Sequence, residues 1–221
     1  MNIAIDGPAG AGKSTIAKLV AKNNGYIYVD TGAMYRCIAW YVIREHIEPE
    51  DTSAFEQALA KITVEIRYEE GQQQVYLNGE NVSTQIRQEE VGNMASKVAT
   101  KKAVREKLLD LQRNLAACND VVMDGRDIGT FVLPNAQLKI YLTASVETRA
   151  NRRYQELTQK GISADLEQIK KDIEARDYQD MHREIAPLKQ AEDARYLDSS
   201  DLSIDEVVML ICKWIAEVAK G

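Results

Sequence analysis

The run Gly7-Pro8-Ala9-Gly10-Ala11-Gly12-Lys13-Ser14, followed by Thr15, has the residue types and spacing to grip a triphosphate. It satisfies the P-loop pattern G-x-x-x-x-G-K-[ST]. Glycines let the backbone wrap closely around phosphate so that successive amides point inward. A helix beginning near Gly12 adds its positive end to the anion site. Lys13 supplies a mobile cation for the β- and γ-phosphates, and the Ser14 hydroxyl can ligate Mg2+. A glycine-rich turn can match this pattern by accident, but here an apolar strand pattern precedes it and a helical pattern follows. Such a loop fixes the phosphoryl donor and leaves the acceptor open.

Other candidates stand at predicted strand ends. Asp30-Thr31-Gly32-Ala33-Met34-Tyr35-Arg36 puts a hydroxyl and an arginine at a helix start. That is either a second anion site or a capped helix with a surface arginine. Met123-Asp124-Gly125-Arg126-Asp127 closes another strand. An acid at that position lies beside the P-loop in such sheets, where it can orient Mg2+-bound water. Arg126 and Asp127 add a cation and an acceptor. Arg149 and Arg153 are four apart, with Arg152 beside them, and Arg176, Asp180 and Arg183 follow at i, i+4 and i+7, on one helical face. Singly, each arginine could be a solvated ion-pair partner. Several of them bracketing a phosphoryl-transfer loop suit the charge that spreads over the equatorial oxygens during transfer.

The elements that must position these residues alternate. Asn2 to Asp6, Tyr26 to Asp30, Val121 to Asp124, Leu138 to Leu142 and Ala194 to Leu197 read as strands. Helical patterns cover Gly32 to Arg44, Lys101 to Leu115, Val146 to Gln159, Ala164 to Ala175 and Asp205 to Lys220. This order predicts a mostly parallel sheet covered on both faces. One segment breaks the rhythm: Ile62, Val64, Ile66 and Tyr68 alternate, Glu70-Gly71 turns, and Val75-Tyr76-Leu77 runs into Asn78-Gly79. It predicts a small antiparallel unit inserted into the α/β core.

Composition narrows the partners. The 221 residues suit one α/β core with small insertions, and the 45% hydrophobic share is ordinary. Net charge is −6, with no basic block to follow a nucleic-acid backbone, and the aromatic share of 6% argues further against an RNA-binding module. Cys37, Cys118 and Cys212 are scattered, which points to a reducing compartment, and His46 and His182 sit in no metal motif. Met1 runs straight into a strand pattern, and the apolar stretch Val207 to Ala219 is broken by Lys213 and Glu217. The expectation is a cytoplasmic protein with neither membrane nor nucleic-acid partners.

The chain resembles the bacterial cytidylate kinases, within the nucleoside monophosphate kinases. The resemblance rests on Gly7 to Thr15, Asp30 to Arg36, Asn93-Met94-Ala95-Ser96, Asp124-Gly125-Arg126-Asp127-Ile128-Gly129-Thr130 and Ala186-Pro187-Leu188, and spans nearly the whole length. The inserted hairpin is similar to the enlarged acceptor domain of the bacterial form. What this implies is a P-loop kinase with a five-stranded parallel sheet flanked by helices, an acceptor-binding insertion of antiparallel β and helix, and a helical lid. The implied core is 1–30, 119–148 and 186–221, the acceptor domain 31–118 and the lid 149–185. The implied reaction moves the γ-phosphoryl group of ATP to CMP or dCMP with Mg2+, in a protein expected to act as a monomer.

Carried over by position, Arg36 and Arg126 hold the acceptor phosphate, with Thr31 nearby where relatives often carry serine. Ser96, Arg105 and Asp127 read the cytosine, while Arg176 and Asp180 touch the sugar. Arg183 joins the phosphates from the lid, and Arg149 and Arg153 lie on the ATP side. Ser14 meets the metal directly and Asp124 through water; Lys13, Arg126, Arg153 and Arg183 assist transfer. The base assignment has its own chemical sense. Asp127 can accept from the cytosine amine, whereas uracil would turn a carbonyl toward the same carboxylate. A kinase of the same fold with AMP, UMP or a small hydroxyl compound as acceptor is the nearest alternative. A nucleotide-driven switch is another, although the Asn-Lys-x-Asp element of guanine-reading switches is absent. Lys13→Ala should collapse turnover in an ADP-release assay, and normal turnover would contradict the mechanism.

Overall fold

Residues 1–220 are described by a computed structural model. In chain order the elements are β1 (Asn2–Asp6), α1 (Lys13–Asn24), β2 (Ile27–Asp30), α2 (Thr31–Arg44), α3 (Thr52–Lys61), β3 (Val64–Glu69), β4 (Gln72–Leu77) and β5 (Glu80–Asn81). There follow α4 (Glu89–Val98), α5 (Lys102–Cys118), β6 (Val121–Gly125), a π turn (Ile128–Val132), β7 (Leu138–Thr143), α6 (Val146–Gln159), α7 (Leu166–His182), β8 (Arg195–Asp198) and α8 (Ile204–Val218). The chain divides into two compact units, Met1–Tyr28 with the chain from Cys118 onward, and Val29–Ala117.

The first unit is built on a five-stranded parallel sheet of order β2-β6-β1-β7-β8. Ile3, Ile5, Val122, Ile140 and Leu142 are buried in one cluster with Ile16 and Val20 of α1 and Val207, Ile211 and Ile215 of α8. Near-continuous apolar strands are what a sheet covered on both faces requires. β1 is central, between β6 and β7, so the crevice for ligands opens beyond its C-terminal end. The register sets Ile5 beside Asp124 and Asp6 beside Gly125, which brings both strand-end carboxylates level with the first glycine of the loop.

The second unit carries the antiparallel sheet β3-β4-β5, with α2 packed against α3, α4, β3 and β4. Glu69 pairs with Gln72 and Leu77 with Glu80, so each hairpin has a two-residue loop. Glu70 and Gly71 lie at φ 50° and 74°, and Asn78 and Gly79 at 50° and 85°. Two successive left-handed residues make the tight turn whose twist matches the strands. The helices α3 and α4 lie beyond those that the apolar spacing predicts; α3 opens on Asp51, whose side chain accepts from the Ala54 amide.

One expected helix is longer than its pattern. The expected end at Ala175 falls inside α7, which Asp165 caps through the Glu167 and Gln168 amides and which continues to His182 with no glycine or proline to stop it. Arg183 lies outside this helix, at extended backbone of φ −66° and ψ 144°. The expected helical face of Arg176, Asp180 and Arg183 is therefore corrected: only Arg176 and Asp180 share it. No helix among the described residues is long and apolar enough to cross a membrane.

Gly7 sits where a side chain has no room. A Cβ built there would stand 1.9 Å from the Leu142 carbonyl oxygen of β7. Gly7→Ala must push the loop off the sheet, so thermal denaturation should show a loss of at least ~1–3 kcal/mol and ATP titration a large loss of affinity.

Candidate active site

The loop between β1 and α1 turns on Gly10 and Gly12, at φ 75° and 84°. Gly12 also stands at the N-cap of α1 with no side chain bonded across it, so the first amides of the helix are open to an anion. Lys13 is 6% exposed, and its ammonium donates to the Pro8 carbonyl at 2.7 Å, inside the loop itself. Burial lowers its pKa well below the usual lysine range, and the charge of Arg126 lowers it further against the pull of Asp124, Asp180 and Asp6. Ala11 is buried, while Ser14 and Thr15 face outward at the start of α1.

Asp124, at the end of β6, is 5% exposed and held by two hydroxyls. Ser14 Oγ donates to Oδ2 and Tyr28 Oη to Oδ1, both at 2.9 Å. A serine hydroxyl touching a buried carboxylate fits a divalent ion that arrives on a triphosphate, because such an ion takes most of its ligands from phosphate and water. Among the described residues no group of three or more His, Cys, Asp or Glu side chains forms a metal cage.

A second network joins the turn after β6 to α7 and the segment behind it. Arg126 Nε donates to Asp180 Oδ2 at 2.8 Å, and its Nη1 to the Gly125 carbonyl at 3.3 Å. Arg183 Nη2 donates to Asp127 Oδ1 at 3.0 Å, its Nε to the Ala186 carbonyl at 2.7 Å, and its Nη1 lies 3.9 Å from Asp180 Oδ1. Burial works against the charge on Arg126, but Asp180 outweighs it and the pKa rises. Burial likewise works against the charge on Asp180, but Arg126 and Arg183 outweigh it and hold the carboxyl below its usual range. Arg176 is half-buried one turn before Asp180 on α7.

The arginines of α6 part company. Arg149 is 4% exposed and its fork is engaged within the protein: Nε to the Ala144 carbonyl, Nη1 to the Ala9 carbonyl at 2.9 Å, and Nη2 to Asp177 Oδ2 at 2.7 Å. It therefore braces the back of the phosphate loop. Arg152 donates to the Ser199 carbonyl at 2.7 Å. Arg153 is half-buried and pairs with Glu156 at 3.1 Å on its own helix.

In the second unit, Thr31 is buried at the start of α2, and Arg36 lies half-buried on the same helix. Asp30 accepts from the Ala33 amide and from Arg87 Nη1 at 3.0 Å. Ser96 Oγ donates to the Gly92 carbonyl at 3.5 Å on α4. Arg105 is 3% exposed, with Nη1 on the Ala99 carbonyl at 3.2 Å and its guanidinium 5.6 Å from the Tyr35 ring.

Three residues enter that pattern reading missed. Asp6 is buried and accepts the Ile128 and Gly129 amides; its place directly before Gly7 was the available signal. Tyr28 holds Asp124, and the alternation along β2 was a weak signal for it. Asp177 holds Arg149 from 28 positions away, and nothing in the spacing marks that pair.

A sequence profile of the family described as Cytidylate kinase matches residues 3–217. The cytidylate kinase of Lactobacillus gasseri is 51% identical over 221 residues, spanning 100% of this chain and 96% of that relative. The cytidylate kinase of Caldicellulosiruptor bescii is 50% identical, spanning 100% and 98%. Among solved structures, an uncharacterized protein from Eubacterium ventriosum is similar in fold, with a TM-score of 0.54, 12% identity and 98% of each chain covered.

The Arg149–Asp177 pair is buried on both sides, so removing one partner strands a charge. Arg149→Met and Asp177→Leu should each lower stability by ~3–5 kcal/mol, and the double variant should lose less than their sum. Chemical denaturation of the four proteins checks this.

Proposed function

Since the chain belongs to the cytidylate kinase family, we propose that Gly7 to Thr15 hold ATP with Mg2+ and that the arginine network serves the acceptor phosphate. The protein moves the γ-phosphoryl group of ATP to CMP or dCMP, giving ADP and CDP or dCDP, and the family's chemistry uses ATP with a divalent metal ion. The observation that carries the site reading is Lys13 buried beside Asp124 and Ser14, at the open N-terminus of α1. Ser14 would hold the metal ion directly, with Asp124 reaching it through water. When bound, the ion neutralises charge on the phosphate oxygens.

The acceptor phosphate is already a competent nucleophile, so these side chains have no base to supply. Their work is alignment and charge neutralisation. Lys13 exchanges the Pro8 carbonyl for phosphate oxygens. Arg126 and Arg183 come to the phosphates already oriented by Asp180 and Asp127, and a guanidinium with five N–H groups can keep a carboxylate while binding a phosphate. Arg36, beside Thr31, holds the acceptor phosphate. Ser96, Arg105 and Asp127 read the cytosine, and Arg176 and Asp180 take the sugar. Arg153, half-buried on α6, takes part from the ATP side, and Arg149 serves the same site by bracing the loop.

In domain terms, 1–30, 119–148 and 186–221 act as the core, 31–118 as the acceptor domain and 149–185 as a lid that excludes water. The protein works as a monomer in the cytoplasm on free nucleotides and without nucleic acid. The net charge of −6 and the lack of a basic block support the part of that reading that leaves out nucleic acid.

A coupled ADP-release assay across CMP, dCMP, UMP and AMP tests the acceptor. CMP and dCMP should exceed UMP by ~10–100-fold in kcat/KM, the effect of leaving a buried acceptor unpaired. AMP as the best substrate would overturn the base assignment.

A further inference from the structure

We propose that Asp6 is the positioning residue for cytosine recognition, aiming Asp127 by holding the two backbone amides that follow it. Oδ1 accepts the Ile128 amide and Oδ2 the Gly129 amide, both at 2.7 Å. These amides open the π turn Ile128–Val132, where no preceding turn supplies them with acceptors. In the same peptide group as the Ile128 amide, the Asp127 carbonyl accepts the Phe131 amide at 2.9 Å and the Val132 amide at 3.1 Å. The peptide group that follows Asp127 is thus held at both ends, its N–H by the distant Asp6 carboxylate and its carbonyl by the π turn.

The surroundings fit this task. Asp6 ends the central strand β1 between Gly125 of β6 and Tyr141 of β7, so its carboxylate stands on backbone paired on both sides. Gly129 approaches it closely: a Cβ there would lie 3.3 Å from Asp6 Oδ2 and 3.1 Å from the Lys139 stem. The carboxylate is 5% exposed, and burial pushes its pKa to about 6 although both amides pull it down. A buried charge is an expensive acceptor for two neutral donors. What it gives is two short bonds at a fixed bite, which a neutral side chain does not reproduce.

The inference rests on the assignment of Asp127 to the cytosine amine. Its test is the ratio of kcat/KM for CMP to that for UMP, measured on one preparation, because the amount of folded enzyme and the affinity for ATP cancel from that ratio. In Asp6→Asn one oxygen keeps an amide, while the new amide group sets its own N–H groups against the other. The ratio should fall about tenfold, as for loss of one charge-assisted bond. Asp127→Asn should lower it at least as far. Because Asp6 acts through Asp127, the double variant should lose no more than Asp127→Asn alone.

Multiplied losses in the double variant, or an unchanged ratio in Asp6→Asn beside a lowered one in Asp127→Asn, overturn the role of Asp6 and leave the cytosine reading standing. An unchanged ratio in Asp127→Asn overturns both. Should Asp6→Asn not fold, Asp6→Ser, with one hydroxyl and no opposing amide, carries the same comparison. If neither folds, Asp6 is a residue of stability and the proposal fails.

Discussion

An ammonium group almost out of water needs negative neighbours, and Lys13 has them at the C-terminal ends of two parallel strands. Asp6 closes β1 and Asp124 closes β6, one register step apart. The loop offers Lys13 only the Pro8 carbonyl, a neutral acceptor. Burial and Arg126 both press the lysine toward losing its proton, while the carboxylates resist. A triphosphate at this loop would bring the anionic charge that settles this imbalance, concentrating binding energy where charge develops during transfer. The parallel sheet is what makes this possible, because its covered faces keep solvent away and its strand ends converge on one crevice.

The same logic extends to the arginines, with a different partner. Arg126, Arg149 and Arg183 are all drawn into ion pairs, and α7 supplies two of the carboxylates, Asp177 and Asp180. One helical turn separates those two, near enough for a single face to serve a brace on the phosphate loop and a guanidinium at the β6 turn. Isolated guanidinium groups in a dry site would repel one another and Lys13. Carboxylates interleaved between them keep the positive field aimed at the crevice without collapsing it.

How much of this was legible depends on the range of the interaction. The phosphate loop, the strands and both hairpins follow from neighbours in the chain: glycines where φ is positive, apolar runs where both faces are covered, Glu70-Gly71 and Asn78-Gly79 where strands reverse. The α7 helix was half legible, since its polar surface shows little periodicity and its stop at Arg183 is set by bonds to Asp127 and the Ala186 carbonyl. The roles of Arg149 and Arg153 were the least legible. They look alike in sequence, four positions apart, yet one is buried across the back of the loop and the other, half-buried, pairs with Glu156 on its own helix. Only the tertiary packing of α6 against α7 distinguishes them. Asp6 is the reverse case: its position was plain, but its partners lie 122 and 123 residues away.

Arg149 also links two parts of the site that the sequence treats as separate. Its guanidinium is planar and rigid, so the Ala9 carbonyl it holds through Nη1 and the Asp177 carboxylate it holds through Nη2 are fixed relative to each other. Holding the Ala9 carbonyl on one side turns the Gly10 amide of the same peptide group to the opposite side. Any displacement of α7 by a turn or less would then have to break a buried ion pair or drag the loop with it. Closure of the segment 149–185 as a lid would therefore be linked to the phosphate cradle through this one buried pair.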